Sequence, residues 1–379
     1  MIQTEKYGYW QVEGQRFLSK YDALVYATTH KKTVKFYYHN NVWASFDRKQ
    51  LGKVSLQELY RQRAQQLRDT YNYLVLYYSG GADSHNILRT FIDNNIKLDE
   101  ICVKWPKQLI DGNFYTPNTS DTSARNYWSE WNYAVKPTLE WISTHKTDIK
   151  ITIKDYTESI DKLNIDSVIS KLNFIRGGGI LLNSVISDSD VYITNKNKKI
   201  AHIYGIDKPL LYIEDTRVYM FFSDVCLDQA GRGDIDPTNT ECFYWTPDFP
   251  NLPFEQAYQL SLYYKLNPEM KKFIWGKNLK TAEEKNIANQ FQTELARNLL
   301  YNNWDVRFQA DKPSSANRTD KFFWFYEHPE LEDLRNKYFQ NINSRTSTIN
   351  DTFLTPKTSS GPRVYTVSVS KNFFVTDIK

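Results

Sequence analysis

Tyr73-Leu74-Val75-Leu76-Tyr77-Tyr78-Ser79-Gly80-Gly81-Ala82-Asp83-Ser84 is an unbroken apolar run that passes directly into a Gly-Gly turn. A continuous run of this kind suits a strand buried on both faces of a parallel sheet. From Ala82 to about Asn94 the spacing of Ile87, Leu88, Phe91 and Ile92 predicts a helix with one buried stripe. A helix that opens at such a turn presents unpaired backbone N–H groups and the positive end of its dipole. Gly80 and Gly81 lack Cβ atoms, so an oxyanion can approach the main chain, while Ser79 and Ser84 offer hydroxyl donors.

Working outward, strand and helix alternate. Upstream, Leu56, Leu59, Tyr60, Ala64 and Leu67 share one face of a helix expected over Leu56–Asp69, with Ser55 as N-cap and Glu58 completing a capping box. Downstream, strands are expected at Glu100–Trp105, Ile149–Lys154 and Ile200–Tyr204, with helices at Ser123–Thr144 and Ile180–Ile186 between them. This alternation predicts an α/β fold, a parallel twisted sheet with helices on both faces. A small N-terminal α+β unit is expected before it, with a strand-like stretch at Val42–Phe46 after an Asn40-Asn41 turn, and a helical C-terminal region after it. The boundaries read as 1–50, 51–253 and 254–379. Leu210–Phe222 reads as a hairpin added at the sheet edge, Asp224–Pro253 as a long irregular segment, and the Ser/Thr-rich tail beyond Asn341 as partly irregular up to Val364–Val367.

The glycine turn carries no GxxxxGK pattern and no GxGxxG fingerprint, so neither common phosphate or dinucleotide loop applies. Its string SGGxDS, at Ser79, Gly80, Gly81, Asp83 and Ser84, resembles the PP-loop of the ATP pyrophosphatase superfamily, whose sheet is of the adenine nucleotide alpha hydrolase type. Asparagine, GMP, NAD and tRNA-lysidine synthetases belong to that superfamily, and the resemblance extends from about Leu74 to Lys208. It implies that the loop holds the β- and γ-phosphates of ATP as a leaving group. It also implies that Asp83 helps position Mg2+ and that attack falls on the α-phosphate. ATP and Mg2+ are the cofactors expected on this basis.

A second constellation, His202-Ile203-Tyr204-Gly205-Ile206-Asp207-Lys208-Pro209, closes the fourth expected strand, at the edge where open α/β sheets bind ligands. Asp207 is a candidate metal contact and Lys208 a mobile cation for phosphate charge. Gly205 and Asp207 resemble the Gly-x-Asp element of many PP-loop enzymes, whereas Lys208-Pro209 departs from the asparagine synthetase version. The ordinary alternative is a turn, for which Gly, Asp and Pro are standard. Asp83, Asp207 and Lys208 are therefore the candidate catalytic residues, and Ser79 to Ser84 with Gly205 the nucleotide-binding ones.

Weaker candidates are Arg125, Asn126, Glu130 and Lys136 on one helix, the cluster Arg176-Gly177-Gly178-Gly179, and Arg232 with Asp234. Each has a bland reading as solvated face, joint or loop. His85 reads as structural or exposed rather than catalytic, and Cys242 as packed among aromatic neighbours.

Composition narrows the chemistry. The 379 residues are 41% hydrophobic and 24% charged, as in a globular protein, and no apolar run approaches the length of a membrane helix. The first residues lack a signal-like apolar segment, so a cytoplasmic address is expected. Cys102, Cys226 and Cys242 form no CxxC pair, which removes the usual sulfur-relay and zinc-knuckle equipment. A formal charge of +4 is too mild to indicate nucleic acid.

Three functions remain open. The first is an AMP-forming ligase of the asparagine synthetase type. It would lack the glutaminase domain, since Ile2 stands where that domain needs a cysteine. The second is a PP-loop enzyme that modifies a nucleic acid or nucleobase. The third is a non-catalytic adenine-nucleotide-binding module. Sulfonucleotide reduction is disfavoured because no cysteine follows Cys242.

Overall fold

The computed structural model describes residues 5–105, 131–155, 198–206, 208–224, 240–276, 279–301, 332–355 and 363–379. Strands β1 (Tyr9–Val12) and β2 (Gln15–Phe17) form a hairpin, helix α1 (Lys20–His30) follows, and β3 (Lys35–Tyr37) returns against β1. The hairpin tip is tight because Glu13 and Gly14 both take positive φ, 48° and 89°, a twist that matches the flanking strands.

The stretch expected as a strand at Val42–Phe46 is instead entered by a short helix, α2 (Asn40–Ala44). The reason is tertiary. Trp43 is fully buried, its indole N–H donates to the Tyr38 carbonyl at 2.7 Å, and its ring centroid lies 4.7 Å from that of Phe222. A five-residue aromatic run is too short for its period to reveal this.

The central layer follows the expected alternation. Helix α3 (Leu56–Thr70) is capped by Ser55, whose hydroxyl accepts from the Glu58 amide at 3.2 Å. Strand β4 (Tyr73–Tyr77) is buried throughout and feeds α4 (Ala82–Asp93), then β5 (Glu100–Trp105). A π-helical turn at Trp131–Val135 runs into α5 (Lys136–His145), followed by β6 (Lys150–Asp155) and β7 (Ile200–Tyr204). Residues 123–130 of the expected long helix, and the helix expected at Ile180–Ile186, lie outside the described residues.

Beyond it come β8 (Leu210–Glu214), β9 (Arg217–Phe221), β10 (Thr240–Cys242), α6 (Asn251–Leu266), β11 (Trp275–Gly276), α7 (Ala282–Leu300), α8 (Glu332–Ser347) and β12 (Phe373–Asp377).

Five parallel strands make the main sheet, in the order β10-β7-β4-β5-β6, flanked by helices. Chain order runs outward from β4 in one direction through β5 and β6, then returns to its other side with β7 and β10. Strand order therefore reverses between β4 and β7, the kind of switch point at which a doubly wound sheet opens a crevice at its carboxyl edge.

Two expectations at the sheet edge are corrected. The β8–β9 hairpin does not extend the main sheet; it belongs to a second sheet of order β11-β8-β9-β12. The place beside β7 is taken by β10, inside the segment expected to be irregular. All three β10 residues are buried, two of them polar, so no apolar period marks the strand. In the tail, Tyr365 bridges Leu354, and β12 pairs antiparallel with β9.

One contiguous apolar core reaches from Trp10 and Ala23 through Leu74 and Leu76 to Tyr338 and Val375. Among the described residues no helix is long and apolar enough to cross a membrane.

Candidate functional site

The 79–84 turn leaves β4 beside the switch point and opens α4. Gly80 has φ +77°, the left-handed region that favours glycine, and a Cβ there would sit 3.0 Å from both Ala134 Cβ and Val135 Cγ2. Gly80 is thus held between turn conformation and the packed π-helical turn. Gly81 is the N-cap of α4, in extended conformation, with no side chain to cap the helix.

The first intrahelical bond of α4 runs from the His85 amide to the Gly81 carbonyl at 2.9 Å. The amides of Ala82, Asp83 and Ser84 precede it, and no hydrogen bond among the described residues engages them. Ser79 is exposed and Ser84 is buried. The Ser84 hydroxyl donates to the Gly81 carbonyl at 3.1 Å and accepts from the Ser79 amide at 3.3 Å. Its expected donation to a ligand is therefore redirected into the turn. Ser79 Oγ accepts from the Gly81 amide at 3.3 Å and remains on the open side.

Gly205, at the end of β7, meets this turn directly. A Cβ on it would fall 3.0 Å from the Ser84 amide nitrogen and 3.1 Å from the Asp83 carbonyl carbon. The two sequence constellations are thus neighbours, brought together by the β4–β7 pairing. Lys208 completes the junction: its ammonium lies 2.7 and 2.8 Å from the two carboxylate oxygens of Asp83. The Lys208 side chain is 10% exposed and that of Asp83 24%.

Three tyrosines absent from the sequence-based list surround Asp83. The Tyr301 hydroxyl donates to Asp83 Oδ1 at 2.5 Å, and the Tyr244 hydroxyl donates to the Asp83 carbonyl at 2.9 Å. Tyr244 in turn accepts from Asn86 Nδ2 at 3.0 Å. Tyr60 packs edge-on to Tyr244 and donates to the Leu300 carbonyl at 3.0 Å. Burial, together with the Asp83 charge, raises the phenols of Tyr301 and Tyr244 well above the ordinary tyrosine value, so both stay neutral donors near neutral pH. No local motif marks these residues; the only signal was the count of 27 tyrosines, which composition alone could not assign.

The anion donors fit a phosphate group: consecutive helix-start amides, the Ser79 hydroxyl and a nearby ammonium converge on one turn. Both Asp83 oxygens face Lys208, so a divalent metal would reach this carboxylate only as the ammonium withdraws. Among the described residues no group of three or more His, Cys, Asp or Glu side chains is placed to share a metal. Asp207 lies outside the described residues, as do Arg125, Asn126, Glu130, the 176–179 cluster, Arg232 and Asp234.

Of the remaining candidates, Lys136 is exposed and lies 3.9 Å from Glu140 of its own helix. His85 is buried, with Nδ1 3.2 Å from the Tyr78 hydroxyl, a structural placement. Cys242 is buried in the apolar core, and burial followed by the charge of Glu241 pushes its thiol up to about 12. It is not a reactive thiolate.

No family model matches the chain, and neither a curated protein nor a solved structure matches it.

Proposed function

We propose that this chain binds the phosphates of ATP at the start of α4 and cleaves ATP to AMP and pyrophosphate. In this reading an acceptor carboxylate or amide oxygen is adenylated, for attack by an amine or ammonia. The observation that carries the reading is the placement of the 79–84 turn. The amides of Ala82, Asp83 and Ser84, which no hydrogen bond among the described residues engages, lie at the switch point of a parallel sheet, with Lys208 arriving from just beyond the neighbouring strand. The SGGxDS resemblance selects α-phosphate chemistry and the PP-loop form of the fold within that frame.

Bound ATP supplies an electrophilic α-phosphorus and pyrophosphate as leaving group. The chain's own part is electrostatic. The amides of α4 and the Ser79 hydroxyl orient phosphate oxygens, and preorganised donors of this kind stabilise charge as it develops. Lys208, on a flexible stem, can shift from Asp83 toward that charge, while Asp83 holds it at the turn beforehand. Gly205 keeps the end of β7 close enough for this.

One observation favours a second reading, a nucleotide-binding module without turnover: the Asp83 carboxylate is already engaged by Lys208 and Tyr301. Incubation with ATP labelled in the α- or γ-phosphate, with candidate acceptors, separates the two. AMP and pyrophosphate are expected, and Asp83→Asn should lose their release. ATP binding by calorimetry without any AMP would leave the module, and absence of binding would remove both. Lys208→Ala should weaken ATP about ten-fold, the order expected when one charged contact is lost.

A further inference from the structure

Tyr301 touches both members of the ion pair on the first turn of α4. Its hydroxyl donates to Asp83 Oδ1 at 2.5 Å, and the Lys208 ammonium lies 5.7 Å from the centroid of its ring. The ring cannot easily move. It is 2% exposed, packs 5.7 Å from Tyr244 and 6.3 Å from Tyr60, and follows Leu300, whose carbonyl accepts from Tyr60.

A lysine and an aspartate alone make a loosely defined pair, because the four-carbon stem samples many rotamers and partial solvent exposure screens the attraction. A fixed phenol removes that freedom. It pins one carboxylate oxygen, and its π face limits where the ammonium can go. The carbonyl of the same aspartate is held from the other side by Tyr244. Main chain and side chain of Asp83 are thereby both fixed, and the amides of α4 with them.

We infer that Tyr301 is a positioning residue for a nucleoside polyphosphate: it holds Asp83 and, through Asp83, keeps the Lys208 ammonium at the phosphate-binding turn. The inference rests on the reading of the α4 start as a polyphosphate site. It makes the end of α7 part of that site, although 218 residues separate Tyr301 from Asp83.

The test is a double-mutant cycle on the full chain, with ATP affinity read by calorimetry and folding by thermal unfolding. Tyr301→Phe keeps the ring and is expected to weaken ATP roughly ten-fold, as loss of one hydrogen bond to a charged group does. In an Asp83→Asn background the same change should cost no further affinity, because the group it acts through is already altered. Tyr244→Phe is the control. Its hydroxyl meets the main chain of residue 83, so its effect should persist in the Asp83→Asn background.

An equal loss from Tyr301→Phe in both backgrounds, or wild-type affinity in the single variant, overturns the positioning role while leaving the site in place. A wild-type protein that binds no ATP removes the site, and this inference with it. Should Tyr301→Phe fail to unfold cooperatively, carbon-13 NMR of tyrosine Cζ reads the contact in Asp83→Asn instead. At neutral pH the Tyr301 Cζ resonance should move from its wild-type position, since its hydrogen bond to a charged oxygen has gone; an unmoved resonance overturns the contact.

Discussion

A single methyl group separates Gly205 from alanine, and its geometry says what that methyl would do. It would press on the Ser84 amide nitrogen at 3.0 Å and on the Asp83 carbonyl carbon at 3.1 Å, both main-chain atoms that cannot rotate away. Gly205→Ala should therefore lower stability by about 1–3 kcal/mol, the usual cost of overpacking, and weaken ATP binding as well. Thermal unfolding and calorimetry check the two effects. A variant with wild-type ATP affinity would detach β7 from the proposed site. The residues of the turn itself were legible in sequence because their chemistry is local: Gly80 supplies its positive φ, and the helix start leaves its first amides without acceptors among the described residues. Tyr301, Tyr244 and Tyr60 were not legible, since nothing in their own neighbourhoods distinguishes them from tyrosines of an ordinary core.

Elements divide along the same line. In α4 the apolar positions Ile87, Leu88, Phe91 and Ile92 are buried as a 3.6-residue period selects, but Ser84, His85, Asn86 and Thr90 are buried too, which that period does not mark; β4 is apolar on both faces as its sequence implies. Short elements carry no such period. Helix α2 owes its form to the burial of Trp43, and β10 to polar partners far away in sequence. The longest described helix near the site, α7, begins with a capping box in which Thr281 accepts from the Glu284 amide and Glu284 accepts from the Thr281 amide. Thr281→Ala should lower stability by about 1 kcal/mol without changing ATP affinity, because Tyr301 lies at the opposite end of the helix. Loss of affinity in that variant would mean that α7 moves as one rigid lever, contrary to fraying at a single end.

For the whole molecule, buried ion pairs join what the sequence reading had separated. Lys20 of the N-terminal unit meets Asp224 at 2.6 Å and the Thr366 carbonyl at 2.6 Å, while Asp224 also accepts from Trp10 and from the Ser368 amide. Glu241 of β10 accepts from Arg63 at 2.8 Å, Tyr71 at 2.6 Å and Lys6 at 3.0 Å. Burial alone would raise the Glu241 carboxyl; the charges of Arg63 and Lys6 outweigh it and hold the group below its usual 4.5. A depressed folded-state value means stability present above the unfolded value and lost as pH falls through the folded one. Glu241→Gln should thus cost about 3 kcal/mol near neutral pH, as breaking a buried pair does. Its deficit should shrink as pH drops below 4.5. Denaturant unfolding at a series of pH values measures this, and a deficit constant across the acid limb would contradict the assignment.

Residues 73–84 by themselves determined a buried strand, a glycine turn and a helix start whose first amides have no intrahelical acceptor, because main-chain conformation and helix-end chemistry depend on nearest neighbours. Tertiary structure alone decided that Asp83 faces Lys208 and Tyr301, at separations of 125 and 218 residues. It also decided that β10 and not the β8–β9 hairpin extends the main sheet beside β7. Such partners are selected by topology and by the need to satisfy buried polar groups, and neither leaves a period or a motif in the chain.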